Sequence, residues 1–263
     1  LDWPLRKAWL QYLAKKEKGS LFISFYKKTS NTVLTCHKLN FSLKAGLPNS
    51  AVLSQVTKLW LVGKSLDKVC DPIIKQWQIA GYRTNEIVLQ RIALAANGGQ
   101  HTLIPYLTNL LPKEQQYLGR LWHEVRRDPA TVTRQDKFIK KSVTESQIYT
   151  YGIKRLIWRD PDKALENYKK VEQYFTLSIV QKEQIIEKFA VALSSKNHAQ
   201  AMTWLERLNP KNVDRSIMQW QLTEVLRQQD WQRVLKELAT MPEKYKTELQ
   251  WQYWYARALI ATD

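Results

Sequence analysis

This sequence predicts an all-α fold of stacked helix–turn–helix pairs, and three observations carry that expectation. Gly and Pro number only 8 and 9 in 263 residues, below the average usage of about 7% and 5%, so turns are few and the segments between them long. Apolar residues recur at i, i+3, i+4 and i+7 along much of the chain, the period of a helix face and not of a strand. The last third also repeats itself inexactly. Ala201, Trp204, Leu205 and Leu208 are matched in order by Trp231, Val234, Leu235 and Leu238, and Pro210 and Pro242 follow the two sets. Ala164, Tyr168 and Val171 form a looser earlier copy. A helical unit whose period drifts through the thirties marks an irregular, tetratricopeptide-like α-solenoid or superhelix, in which each pair leaves an apolar face for the next to bury.

Taken in order, Asp2-Trp3-Pro4 opens a helix whose expected apolar stripe is Leu5, Trp9, Tyr12 and Leu13, with Gly19-Ser20 as its expected break. The run LFISFY fits a short helix or a strand by period alone; its helical neighbours favour helix. Residues 31–44 form the helix that carries Cys36, ending near Gly46-Leu47-Pro48. Leu53, Val56 and Trp60 then share one face. Gly63 is the expected stop at positive φ, and Asp71-Pro72 the expected N-cap and N1 of the following helix. Leu89, Ile92, Ala93 and Ala96 continue the pattern after Thr84, and Asn97-Gly98-Gly99 ends it. A short segment over 103–111 precedes Pro112, which opens a helix running through Leu118 and Trp122 to Arg127. Asp128-Pro129 and Asp160-Pro161 read as further cap-plus-N1 pairs, with a long helix expected over about 135–158. A single domain over 1–263 is expected, with sub-blocks 1–98, 99–158 and 159–263.

Hydrophobic content of 44% and charged content of 25% are those of a soluble globular chain. No run of about 18 apolar residues exists, so no transmembrane segment is expected. The net charge of +17 favours anionic partners, whether nucleic acid, acidic lipid or the carboxylates of peptidoglycan stems, and is equally met by lysine-rich solvated faces without a ligand. A start at Leu1 with no signal-peptide pattern reads as a mature or trimmed chain. Cys36 and Cys70 permit one disulfide; two buried thiols in a reducing compartment fit the spacing equally. Neither a CxxC nor clustered histidines accompany them, so no metal and no cofactor are expected.

Two stretches carry a resemblance. The first is WLVGKS, comprising Trp60, Gly63, Lys64 and Ser65, followed by Cys70-Asp71, Trp77 and Gly81. The second comprises Trp231, Met241-Pro242, Trp251, Tyr253 and Trp254 within WQYW, and Arg257. WRDPDKALENY from Trp158 adds a weaker match. Together they resemble the amino-terminal helical region of the soluble lytic murein transglycosylases, from about Leu5 to the end, with 98–157 matching only as generic helices. That resemblance implies a horseshoe-shaped superhelix that forms a ring, a Cys36–Cys70 disulfide, a periplasmic location, and peptidoglycan glycan strands and a separate catalytic domain as partners. The parent activity it implies is cleavage of the MurNAc–GlcNAc β-1,4 bond with formation of 1,6-anhydro products.

The family's catalytic glutamate opens an E-S-x-aromatic-x-P motif, with G-L-M-Q and A-Y-N-A-G after it. Glu145-Ser146 is the nearest match here, but Gln147-Ile148-Tyr149-Thr150 continues it. Glu145 is therefore expected on a helix surface, and this chain is expected not to cleave glycans. His37, His101, His123 and His198 are scattered, without metal spacing, and read as structural. Lys64-Ser65 lacks the upstream glycine of a phosphate loop and reads as a helix end with an exposed lysine. Trp251, Tyr253, Trp254 and Tyr255 include rings that could stack on sugars, with Arg257 nearby. Consecutive helix residues face all round, however, so most of these rings pack against neighbours. The leading expectation is a non-catalytic scaffold that positions glycan strands. A stand-alone protein-binding solenoid is the alternative. RNA binding from charge alone is disfavoured by the imprecise repeat and by the disulfide that the resemblance implies, so no nucleic-acid partner is expected.

Overall fold

The first three helices, α1 (Asp2–Lys15), α2 (Gly19–Phe25) and α3 (Thr32–Lys44), fold back on one another around Leu10, Leu13, Phe22, Leu34 and Phe41. They belong to a computed structural model that describes residues 2–171, 174 and 176–263, and among those residues every regular element is helical. LFISFY is therefore helix through Phe25, as its neighbours indicate, with Tyr26 extended at its end. The α1 stripe differs from expectation: Leu10 and Leu13 are buried, whereas Leu5 is 75% exposed and Trp9 and Tyr12 stack on each other at the surface. The helix has its core side one step round from the residues the period picked out. Its break also lies earlier, at Glu17, which takes positive φ. Gly19 instead begins α2, where a Cβ would meet the Phe41 ring.

After α3 come α4 (Asn49–Trp60), α5 (Asp71–Ile79), α6 (Asn85–Ala96), α7 (Ile104–Thr108) and α8 (Gln116–Arg127). α3 packs on α4, α4 on α5 and α6 on α7, and α8 covers both α6 and α7. Chain contacts divide the protein into two compact units, Leu1–Asp128 and Pro129–Asp263. The α6 face is Val88, Arg91, Ile92, Ala95 and Ala96; Leu89 and Ala93 sit at its edge. At the unit boundary Asp128 closes α8 in an extended conformation, and Pro129 opens a 3-10 turn, Pro129–Thr133.

The second unit holds α9 (Val143–Arg159), α10 (Pro161–Val171), α11 (Ile179–Ser195), α12 (Ala201–Leu205), α13 (Arg215–Arg227), α14 (Trp231–Ala239), α15 (Glu243–Lys246) and α16 (Leu249–Thr262). The long helix expected from about 135 begins only at Val143, because Ser142 and Glu145 form a capping box there. Asp160 caps α10 as expected, accepting from the Lys163 N–H at 3.1 Å. Packing is of the solenoid kind: α9 rests on α10 and α11, α11 on α12 and α13, and α14 on α13 and α16. The matched repeat positions occupy corresponding places, with Ala201, Trp204, Leu205 and Leu208 buried in one copy and Val234 and Leu238 in the next.

Five helix ends share one hydrogen-bond pattern, in which two backward N–H···O=C bonds close around a residue at positive φ. That residue is Glu17, Gly46, Gly81, Asn197 or Gln229. Only two of the five are glycine, so most of these turns carried no glycine signal in the sequence.

Candidate functional site

The first matched stretch folds into a braced corner of the first unit. α4 ends at Trp60, and the chain runs without regular structure to a 3-10 turn, Lys68–Cys70. Asp67, not Asp71, is the capping residue here: its carboxylate accepts from the Val69 N–H at 2.9 Å. Asp71 already has helical geometry and places its charge in the first turn of α5, where the helix dipole favours it. Cys70 is bonded to Cys36 on α3, with Cα atoms 5.0 Å apart and 34 positions between them in sequence. Closing a loop of that length stabilises the fold by about 3–4 kcal/mol in the chain-entropy account. Asn40 adds a second tie, donating to the Val69 carbonyl at 3.2 Å.

Aromatic packing closes the inner side of the corner. Trp77 is fully buried, sits 5.3 Å from the Trp60 ring and donates from Nε1 to the Thr57 hydroxyl at 3.0 Å. Arg91 of α6 lies over Trp60, its guanidinium 4.4 Å from the ring centroid. The same side chain donates from Nε to the Val62 carbonyl at 3.2 Å and from Nη2 to the Lys64 carbonyl at 3.0 Å. Burial lowers its pKa to about 10, opposed by the Tyr106 phenol. Arg91 thus satisfies backbone oxygens that the irregular segment would otherwise leave unpaired. Sequence reading missed it, although a signal existed: Arg91 occupies i+3 from Val88 and one turn before Ala95, inside the apolar stripe.

Gly63 does not take positive φ, contrary to expectation. It is glycine because the α6 backbone lies against it: a Cβ there would run into the Leu94 carbonyl and the Ala95 nitrogen. Its own carbonyl accepts from the Gln100 N–H at 2.7 Å, and the Gln100 side chain accepts from the Ser65 N–H at 2.8 Å. Gly99 packs equally closely, with Gly63 in the way of any added Cβ. Lys64 and Ser65 stay exposed, and Gly81 closes α5 at positive φ. These residues lie together in one corner of the first unit.

The second matched stretch forms the α14–α16 cluster of the second unit. Trp231 begins α14 half-buried, after Asp230 caps it by accepting from the Arg233 N–H at 3.0 Å. Pro242 is exposed and leads into α15. Trp251 is buried against Leu238 and Met241 and donates to Glu248 at 3.2 Å; Glu248 in turn takes two bonds from Arg215 at 3.2 and 2.6 Å. The bond from Arg215 holds the Glu248 carboxyl below its ordinary pKa. Trp254 packs on the cluster edge, with Tyr253 at right angles to it. Tyr253, Tyr255 and Arg257 face solvent. The WQYW run therefore divides, with Trp251 in the core and its tyrosine outside.

Glu145 is not on the surface, as expected from sequence, but completely buried. One carboxylate oxygen accepts from the Ser142 N–H at 2.7 Å and the other from the Lys140 N–H at 3.2 Å. Both oxygens thus hold backbone N–H groups at the start of α9. His198 pairs with Asp162 at 3.0 Å through Nε2 while Nδ1 accepts from the Gln200 N–H, a local tie between α10 and α12. Among the described residues no group of three His, Cys, Asp or Glu could hold a metal ion, and no helix is long and apolar enough to cross a membrane.

A family model described as Cucumovirus coat protein matches residues 47–142, well under half the chain. A far longer match spans 258 residues, or 97% of the chain. It is 22% identical to a soluble lytic murein transglycosylase of Salmonella typhimurium and covers 40% of that protein. The counterpart from Escherichia coli is 21% identical over the same coverage. Among solved structures, an inactive mutant of the lytic transglycosylase Slt from Pseudomonas aeruginosa superposes with a TM-score of 0.81 at 26% identity, over 97% of this chain and 41% of that one. A 70-kDa soluble lytic transglycosylase in complex with bulgecin A superposes with a TM-score of 0.76 at 21% identity, over 98% of this chain and 42% of that one. The longer match includes residues 47–142 and agrees with the helical fold. In sequence and in fold this chain is similar to the soluble lytic murein transglycosylases over about two fifths of their length.

Proposed function

We propose that this chain is the non-catalytic helical scaffold of a periplasmic lytic transglycosylase. In this reading it positions peptidoglycan glycan strands for a catalytic domain elsewhere on the same polypeptide, whose reaction cleaves the MurNAc–GlcNAc β-1,4 bond and leaves 1,6-anhydro ends. The observation that carries the proposal is the nearly end-to-end match, in sequence and in fold, to two fifths of those enzymes. Two further features support it. Glu145, the nearest sequence match to the family's catalytic glutamate, is consumed as a helix cap. The Cys36–Cys70 bond suits an oxidising compartment.

Retention on purified sacculi across a salt series tests the scaffold role. The expected result is binding at low salt that weakens as salt screens the positive surface, with no release of anhydro-muropeptides. Absence of retention at the lowest salt overturns glycan positioning, and unaided release of anhydro-muropeptides overturns the non-catalytic assignment.

A stand-alone, tetratricopeptide-like protein-interaction scaffold is the second reading, favoured by the stacking of α9, α11 and α13. The gene sequence beyond Asp263 separates the two: an E-S-x-aromatic-x-P block followed by G-L-M-Q supports the first, and a stop codon the second.

A further inference from the structure

The chain has 3 methionines, and all of them, Met202, Met218 and Met241, line one cleft of about 470 Å³ between α12, α13 and α14. Thioether side chains are flexible and polarisable, and surfaces that accommodate varied apolar partners concentrate them. The volume lies in the range of clefts that hold a ligand. Across the same cleft Arg233 reaches from α14 to Glu206 at 2.8 Å and to the Met202 sulfur at 3.4 Å, with Glu237 at 3.7 Å on its other side. Two carboxylates thus face one guanidinium, and the charged side of the cleft is net negative in a chain of net charge +17.

We propose that this cleft binds a segment of a partner polypeptide in which apolar side chains sit beside a lysine or arginine. The thioethers receive the apolar side chains, and the net negative charge of Glu206 and Glu237 around Arg233 receives the cation. The sugar backbone of a glycan strand carries no lysine or arginine side chain, so this site is separate from the glycan positioning proposed above, and failure of either leaves the other standing.

Labelling the methionine methyls with carbon-13 gives three signals that all report on the cleft, assigned with three single Met→Leu variants. The probes are an acetylated leucine–lysine octapeptide, the matching leucine–glutamate octapeptide and n-butylamine. The expected result is that the lysine peptide moves all three signals along one saturation curve. The glutamate peptide should bind about tenfold or more weakly, as opposed charge predicts. The double variant Glu206→Gln/Glu237→Gln, checked for native helicity, should remove most of that difference. Unmoved signals, or equal shifts with both peptides, overturn the proposal. So does butylamine saturating the site as tightly as the peptide, which would make it a small-amine pocket.

Discussion

At Gly63 and Gly46 the same residue type answers two different demands, and substitution separates them. Gly46 has φ of +80° with nothing within 4 Å of where a Cβ would go. Gly46→Ala should therefore cost about 1 kcal/mol, the strain of a left-handed alanine. Gly63 has ordinary φ but backbone on backbone, and neither strand of chain has a side chain that could swing aside. Gly63→Ala should cost about 1–3 kcal/mol or more, as overpacking does; urea unfolding of both variants ranks them. A Gly46 variant that loses more than the Gly63 variant would contradict the close-approach account. Arg91→Lys should also destabilise by about 1–3 kcal/mol, since an ammonium cannot lie flat on Trp60 while reaching the Val62 and Lys64 carbonyls together. An unchanged urea midpoint would show those bonds to be dispensable. The sequence showed that Gly63 mattered but not why. Close approach depends on Leu94 and Gly99, residues that only folding brings near.

Helices were legible where their signals are local. Pro72, Pro112 and Pro161, the cap residue Asp160 and the stripe Leu53, Val56 and Trp60 placed elements at or near their observed positions. Ends were missed where the turn-forming residue was Glu17 or Gln229, because positive φ there is imposed by the surrounding hydrogen bonds and not by the residue. The start of α9 was readable in retrospect, since Ser142 and Glu145 have the spacing of a capping box. In α1 the period identified a helix but mistook its buried face, because aromatic residues at a surface look like core residues in a sequence.

Helix α3 carries a pH dependence of its own. His37 lies beside the Phe22 and Phe41 rings, 6.0 Å from each, and burial lowers its pKa, with Asp67 opposing. As pH falls through about 6.5 the unfolded chain takes up a proton that the folded chain resists. Stability should therefore decline from that point down to the lowered folded value. His37→Gln should reduce the difference in urea midpoint between about pH 7 and about pH 5. An unaltered difference would assign the acid sensitivity to other groups, among them His123, whose pKa burial also lowers.

On the scale of the whole molecule, the net charge of +17 gives the proposed sacculus binding a specific signature. Attraction to stem-peptide carboxylates is long-ranged and screened, so retention should fall steeply between about 0.01 and 0.15 M salt. Salt-insensitive retention would instead indicate ring stacking by exposed aromatics such as Tyr253. The link between Cys36 and Cys70 also joins α3 covalently to the turn before α5, around the whole of α4. A protease that severs any single peptide bond from 37 to 69 would consequently release no fragment. The nicked chain would migrate as one band without reductant and as two bands with it.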